Sequence, residues 1–344
     1  MYHKSLKNKQ KVFAVAPMID WTDRHCRYFH RVMSREALLY TEMIVADAII
    51  HGDLERLLQD KTSGPVALQL GGSDPDKLAK ATELAAPFGY SEINLNVGCP
   101  SDRVQSGTFG ACLMRVPELV GECVAAIKAV SQVPVTVKCR IGVDDQDTGP
   151  ALDALAEAVW RNGCDGLWVH ARKAWLEGLS PKQNREIPPL DYERVRSLKR
   201  ENMNRFIGLN GGVENLIQAG DAFEAEGGLI DGVMVGRASY QSPSLLRDVD
   251  QVIYGSQSSP VSYEEIIDQM MDYAISHVEA GGRLHQVTRH MVGLFQSVPG
   301  ARRWRQILSS EATQYDAKPL IIKQAFEKVD LSEAKPNSYS VEVA

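Results

Sequence analysis

The stretch Val12-Phe13-Ala14-Val15-Ala16-Pro17-Met18-Ile19-Asp20 decides the fold. It opens as an aliphatic, β-forming run, and the residues after the run are informative. The first strand of an open, dinucleotide-binding sheet leads into G-x-G-x-x-G, whereas this one leads into Pro17-Met18-Ile19-Asp20. Seven similar runs come after Val12–Met18: Leu38–Met43, Val66–Leu70, Ile93–Val97, Val135–Cys139, Leu167–His170, Phe206–Asn210 and Val233–Gly236. Between them lie segments with helical spacing, such as Glu118–Val130, Ala151–Trp160 and Glu214–Glu226. Strand and helix alternating without hairpin turns imply a parallel sheet. Eight apolar strands in about 250 residues predict an α/β fold, the closed (β/α)8 TIM barrel. After Ser242 the strands stop. Glu264–Val278, Arg283–Gln296, Arg302–Ser310 and Pro319–Phe326 read as helices, broken at Gly281-Gly282 and Pro299-Gly300. The expected organisation is a barrel over 1–255, a small C-terminal all-helical domain over 261–330 and a polar tail over 331–344.

With 38 Lys and Arg against 44 Asp and Glu, the 344-residue chain carries a net charge of −6, which argues against a nucleic-acid partner. That total conceals an asymmetry. Residues 281–310 contain five arginines and no acid, and 281–328 holds eight basic against three acidic residues, net +5, leaving −11 elsewhere. No apolar run approaches the roughly 20 residues that span a bilayer, so no membrane association is expected. Met1–Lys11 is basic and polar and lacks a signal-peptide core. The six cysteines, at 26, 99, 112, 123, 139 and 164, form no C-x-x-C pair; a reducing cytoplasm is expected, and no metal.

Active sites of such barrels form at the C-terminal ends of the strands. Read in order, those ends carry Pro17-Met18, Glu42, Gln69, Asn94/Asn96/Cys99, Lys138/Arg140, His170/Arg172, Asn210-Gly211-Gly212 and Gly236-Arg237. Taken singly, each has a structural explanation: a strand-end amide satisfies loop backbone, and a lysine snorkels to solvent. Together they predict a site. Gly211-Gly212 and Gly236-Arg237, each expected just before a helix (near Val213 and Ser242), have the position of a barrel phosphate site. Lys138 and His170 can neutralise an electron-rich ring, or Lys138 can serve as a Schiff-base nucleophile. Cys99, on a Gly-Cys-Pro turn, is a candidate nucleophile or proton donor, while the other five cysteines read as packing residues.

APMIDWTDRHCR (16–27), LYTEM (39–43), ALQLGG (67–72), INLNVGCPS (93–101), VKCRIGVDD (137–145), HARKAWLEGLSPKQNREIPPLDY (170–192), NGGV (210–213), VGRA (235–238) and ARRWRQILS (301–309) resemble the tRNA-dihydrouridine synthases, specifically the A-type subfamily. The resemblance implies FMN as cofactor and NADPH as reductant. Ala16, Pro17 and Met18 would line the isoalloxazine; Gln69, Lys138 and His170 would bond the ring or ribityl chain; Asn210, Gly211, Gly212, Gly236 and Arg237 would cradle the phosphate. It further implies reduction of uridines 20 and 20a in the tRNA D-loop, after base flipping, with hydride delivered to uracil C6 and a proton from Cys99 to C5. Asn96 would contact the flipped base, and the protein would act as a monomer. The basic face then becomes a tRNA surface, with Arg302 and Arg305 three apart on one helix and Lys173, Lys182 and Arg185 meeting the same backbone from the barrel.

Three other readings are open to the residues alone. An FMN barrel acting on a free pyrimidine, like dihydroorotate dehydrogenase, would need no basic helical domain. A Schiff-base aldolase would carry no flavin. A tRNA-binding module with a decayed barrel would not keep chemistry at its strand ends.

Overall fold

The computed structural model describes residues 2–60, 62–101 and 109–332. Eight parallel strands close into a barrel in sequence order: β1 Val12–Val15, β2 Leu38–Val45, β3 Val66–Gly71, β4 Glu92–Val97, β5 Val135–Arg140, β6 Gly166–His170, β7 Ile207–Asn210 and β8 Gly232–Val235. Closure is direct, with Val12 of β1 level with Gly232 of β8 and Val15 level with Val235. β1 ends before Met18, because Pro17 has no N–H to give to a ladder.

Alternation along the strands sorts side chains into two populations. Odd positions such as Phe13, Val15, Leu95, Val97, Val137, Cys139 and Val169 face the surrounding helices and form the main apolar core. The other positions, even-numbered except on β3, point into the barrel. Its lower interior is apolar, built from Val12, Ala14, Leu38, Tyr40, Ala67, Trp168, Phe206 and Met234. The Trp168 indole fills the barrel only because β7 and β8 carry glycines beside it: a Cβ on Gly208 would stand 2.1 Å from the ring, and one on Gly232 2.6 Å.

The N-terminal segment, expected to be a polar lead, forms the helix Tyr2–Asn8 across the barrel floor. Seven residues are too few for a helix to stand alone, and its anchor is Tyr2. That side chain is 2 % exposed, packs edge-on against Phe206 at 4.4 Å, and donates from its hydroxyl to the Glu92 carboxylate. Glu92 also accepts from Tyr40 at 2.6 Å and from Thr136, so this buried acid is satisfied by hydroxyls and forms no ion pair among the described residues.

The helical region after the barrel contains Tyr263–Glu279, Leu284–Thr288, Ala301–Ser310 and Ile321–Phe326. Ser262 and Glu265 form a capping box at its start. The helix expected over Arg283–Gln296 is cut to Leu284–Thr288; beyond it the chain continues in tighter i→i+3 turns such as Met291 N–H to Thr288 O and Leu294 N–H to Met291 O, and Gly293 lies against the backbone of Gln241, 2.4 Å from where a Cβ would sit. Phe295, Trp304 and Phe326 knit the region together, and Tyr273 stacks on Tyr28 of the Arg24–Met33 helix at 4.0 Å, fastening it to the barrel. The polar tail expected over 331–344 lies, beyond Ser332, outside the described residues. Among the described residues, no helix is long and apolar enough to cross a membrane.

The barrel floor can be tested in solution. Tyr2→Phe removes a hydrogen bond to a buried acid and should cost about 1–3 kcal/mol, whereas Tyr2→Ala also opens a cavity and should cost about 3–5 kcal/mol, both read from urea midpoints. Burial pushes the Glu92 carboxyl up to about 7, against the pull of its hydroxyl donors. The folded chain therefore holds a proton that the unfolded chain releases near 4.5, and this group's stabilising contribution is lost as pH rises from about 4.5 to about 7. Glu92→Gln should flatten that part of the stability–pH profile.

Candidate active site

A cavity of about 670 Å³ opens at the C-terminal mouth of the barrel. Its walls include Ala16, Pro17 and Met18 after β1, Lys138 on β5, His170 on β6, Asn210-Gly211-Gly212 on β7, and Gly236-Arg237 after β8. Ten of the eleven residues expected to hold a cofactor thus meet in one space. The eleventh, Gln69, is 1 % exposed and lies outside the lining, bonded to Asn94 and Asn96.

The positions of these groups are set by the backbone. Lys138 and His170 are even-numbered strand residues and so point inward. Lys138 Nζ donates to Asn210 Oδ1 at 2.9 Å, and Asn210 is held in that orientation by donating from Nδ2 to Met234 O at 2.8 Å. Gly211 and Gly212 have φ of 108° and 74°, which only glycine adopts without strain, and a Cβ on Gly211 would strike His170 at 2.7 Å. The helix expected near Val213 starts at Leu216, capped by Asn215, while the one expected near Ser242 starts earlier, at Arg237. Arg237 pairs with Glu186 across the mouth.

Cations outnumber anions here. Desolvation, with Arg140 beside it, lowers the Lys138 ammonium to about 7. Burial, with Arg140, Lys138, Arg172 and Arg185 around it, keeps His170 well below the ordinary imidazole range. Arg172 donates to Pro188 O, but its buried Nε has no partner among the described residues. Among the described residues the lining sets Lys138, Arg172, Arg185 and Arg237 against Glu186 and Glu214, an excess of positive charge in a desolvated space that an anion would relieve.

Cys99 lies on the turn after β4, outside the cavity lining, with Sγ 3.4 Å from Ser101 Oγ. The backbone N–H groups of Gly98 and Cys99 donate to Asn96 Oδ1 at 3.2 and 3.0 Å, and Asn96 Nδ2 donates to Gln69 Oε1 at 2.8 Å. The Asn96 amide is therefore largely engaged within the protein, with one N–H left over. Of the other cysteines, 26, 123, 139 and 164 are buried, and Cys112 is half-buried with its thiol on Phe109 O, in line with packing roles.

Three residues that shape the site receive no role from the strand-end pattern. Arg140 is 2 % exposed and donates to Gly98 O at 3.1 Å, Lys173 O at 3.0 Å and Asn184 O at 2.8 Å, tying the Cys99 turn to the loop after β6. Asn184, fully buried, closes that loop by bonding Trp175 through both ends of its amide. Trp21 stacks on Tyr240 at 4.5 Å and borders both the cavity and an adjoining groove of about 910 Å³ that Arg289 and Arg305 also line. Only Arg140 had a signal, a cation in phase with Lys138.

The basic stretch is partly neutralised. Arg289 pairs with Asp23 at 2.6 Å, Arg303 with Glu311 at 3.6 Å and Lys323 with Asp268 at 2.8 Å. Arg302 and Arg305 are exposed and have no carboxylate partner among the described residues. Lys182 is exposed, Lys173 lies over the Trp175 ring at 5.6 Å, and Arg185, also exposed, lines the cavity.

Residues 14–330 match the family model described as Dihydrouridine synthase (Dus). A Shewanella oneidensis protein named tRNA-dihydrouridine(20/20a) synthase is 53 % identical over 323 residues, covering 94 % of this chain and 95 % of the relative. Proteins of the same name from Vibrio vulnificus and Escherichia coli are 53 % and 51 % identical, each over 92 % of this chain and 96 % and 95 % of theirs. A strand-end cavity of this composition and similarity along nearly the whole length lead to one conclusion: the chain belongs to the dihydrouridine synthase family.

Proposed function

We propose that this protein reduces uridine to 5,6-dihydrouridine at positions 20 and 20a of the tRNA D-loop, as its relatives are named for doing. The observation that carries the reading is the cation-rich cavity at the barrel mouth, with the Cys99 turn tied to its rim through Arg140. We further assign the cavity to FMN and the reductant to NADPH. The residues fit such a group. Lys138 Nζ has one acceptor among the described residues, Arg172 Nε has none, and the clustered positive charge asks for an anionic ligand.

In this reading Gly211, Gly212, Gly236 and Arg237 hold the phosphate by backbone N–H and guanidinium, with Asn210 orienting Lys138. Ala16, Pro17 and Met18 present an apolar wall to the ring, and Lys138 and His170 meet its polar edge, while Gln69, buried outside the lining, supports the site from behind through Asn94 and Asn96. Bound there, the flavin supplies the hydride for uracil C6. The chain's own contribution is to hold the base, exclude water and deliver a proton. The Cys99 thiol gives its proton to C5, and the remaining Asn96 N–H meets the flipped base. The barrel over 1–255 carries this chemistry, and the helical region over 261–330 presents Arg302 and Arg305 to tRNA phosphates. Lys173 and Lys182 reach the same backbone from the loop after β6, with Arg185 nearer the reacting base.

Three expectations test this. Cys99→Ala should slow single-turnover tRNA reduction about a hundredfold or more while NADPH reduces the bound flavin at an unchanged rate; equal loss of both half-reactions would sink the proton-donor role. Lys138, titrating at about 7 in the folded chain, is mostly neutral at pH 8.5, and a bound anion restores its charge. FMN binding should therefore take up close to one proton at pH 8.5, by calorimetry in buffers of different ionisation enthalpy. FMN affinity should fall as pH rises above about 7, and Lys138→Met should abolish the uptake. Arg302→Ala with Arg305→Ala should weaken tRNA binding and lower the salt slope by roughly 1 to 2; an unchanged slope would remove these arginines from the interface.

A further inference from the structure

A chain of side-chain hydrogen bonds runs inside the barrel from its floor to the Cys99 turn. Thr136 Oγ1 donates to Glu92, and Asn94 Nδ2 donates to Thr136 Oγ1 at 2.7 Å. Gln69 Nε2 donates to Asn94 Oδ1 at 2.8 Å, and Asn96 Nδ2 donates to Gln69 Oε1 at 2.8 Å. Asn96 Oδ1 then receives the N–H groups of Gly98 and Cys99 at 3.2 and 3.0 Å. Glu92, Thr136, Asn94 and Gln69 are each at most 1 % exposed and Asn96 is 8 %, so water is not at hand to substitute for a missing partner.

The direction of this chain is not free. An amide has a donor end and an acceptor end of nearly equal size, so Asn94, Gln69 and Asn96 would fit sterically either way round. The two termini decide. Backbone N–H groups can only donate, and at the other end the Glu92 carboxyl accepts from the hydroxyls of Tyr2, Tyr40 and Thr136. With a donor at the mouth and an acceptor at the floor, every intermediate group has one orientation that leaves nothing unpaired. Reversing one amide sets oxygen against oxygen on one side and N–H against N–H on the other, inside a low-dielectric interior where each orphan is costly.

We propose that Glu92 is a positioning residue for Cys99: as the accepting end of this chain, it sets the orientation of Asn96 and thereby holds the turn that presents the thiol. The inference rests on the reading of Cys99 as the proton donor, but it can be checked without that reading, because thiol presentation is measurable in itself.

The test uses the flavin-loaded full-length protein at pH 8 and two readouts: the alkylation rate of Cys99 by iodoacetamide, mapped by peptide mass, and kcat and KM for tRNA. Thr136→Val cuts the chain one link above Glu92; Thr136→Ser keeps the hydroxyl. Thr136→Val should change the Cys99 alkylation rate several-fold and lower kcat about tenfold with KM for tRNA little changed, since a misdirected group costs rate more than affinity. Thr136→Ser should restore both. Should Thr136→Val fail to fold, Asn94→Asp replaces the donor facing Thr136 by an acceptor at constant size, and the same changes are expected of it. A variant that lowers the melting temperature but leaves Cys99 alkylation and kcat at the wild-type values overturns the proposal. Retained tRNA reduction in Cys99→Ala would instead remove the proton-donor reading, leaving the alkylation result to decide the relay.

Discussion

Closing eight parallel strands into a barrel forces every second residue into a space without bulk water, and the rest of this protein answers to that constraint. The interior must be filled at its lower end and kept polar but satisfied above it. Tyr2, Trp168 and Phe206 do the filling, with glycines on β7 and β8 admitting the indole. Glu92 is the exception in that apolar layer. Its carboxylate is met by three hydroxyls, so the floor is sealed by hydrogen bonds as well as by packing. The N-terminal helix supplies one of those hydroxyls, from Tyr2.

Above the floor the same inward positions change character, from aliphatic to amide to cation. The amides of Gln69, Asn94 and Asn96 satisfy one another, and Lys138 and His170 face the cavity. Concentrating like charges in a desolvated space is unfavourable, as the lowered ammonium of Lys138 and the suppressed imidazole of His170 register. A bound anion would relieve it, which is why such a cluster marks a candidate functional site. Arg140 uses the same location differently, spending its donors on three backbone carbonyls and so welding two mouth loops together.

Charge outside the barrel has a comparable structure. A total of −6 describes the whole molecule and says little of any one face. Folding brings Asp23 to Arg289 and Asp268 to Lys323, so part of the basic stretch serves to fasten the helical region to itself and to the barrel. Arg302 and Arg305 are among the exposed cations of the stretch, with Arg283, Lys318 and Lys328, that have no carboxylate partner among the described residues and stay open to an outside partner.

The barrel and most of its candidate site were legible in the sequence because both depend on local periodicity. Strand runs of alternating environment, and polar residues or glycines recurring at their C-terminal ends, are patterns within a few residues of one another. Parity alone set Lys138 inward and Cys139 outward. The Tyr2 plug, the Arg140 tie, the Asn184 loop closure and the Trp21–Tyr240 stack were decided only in three dimensions. Most of these join residues tens to more than two hundred positions apart, and no spacing along the chain encodes such a meeting. The direction of the amide chain is of the same kind. Asn94, Gln69 and Asn96 are the same residues whichever way their amides turn, and only a carboxylate at one end with backbone donors at the other selects between them.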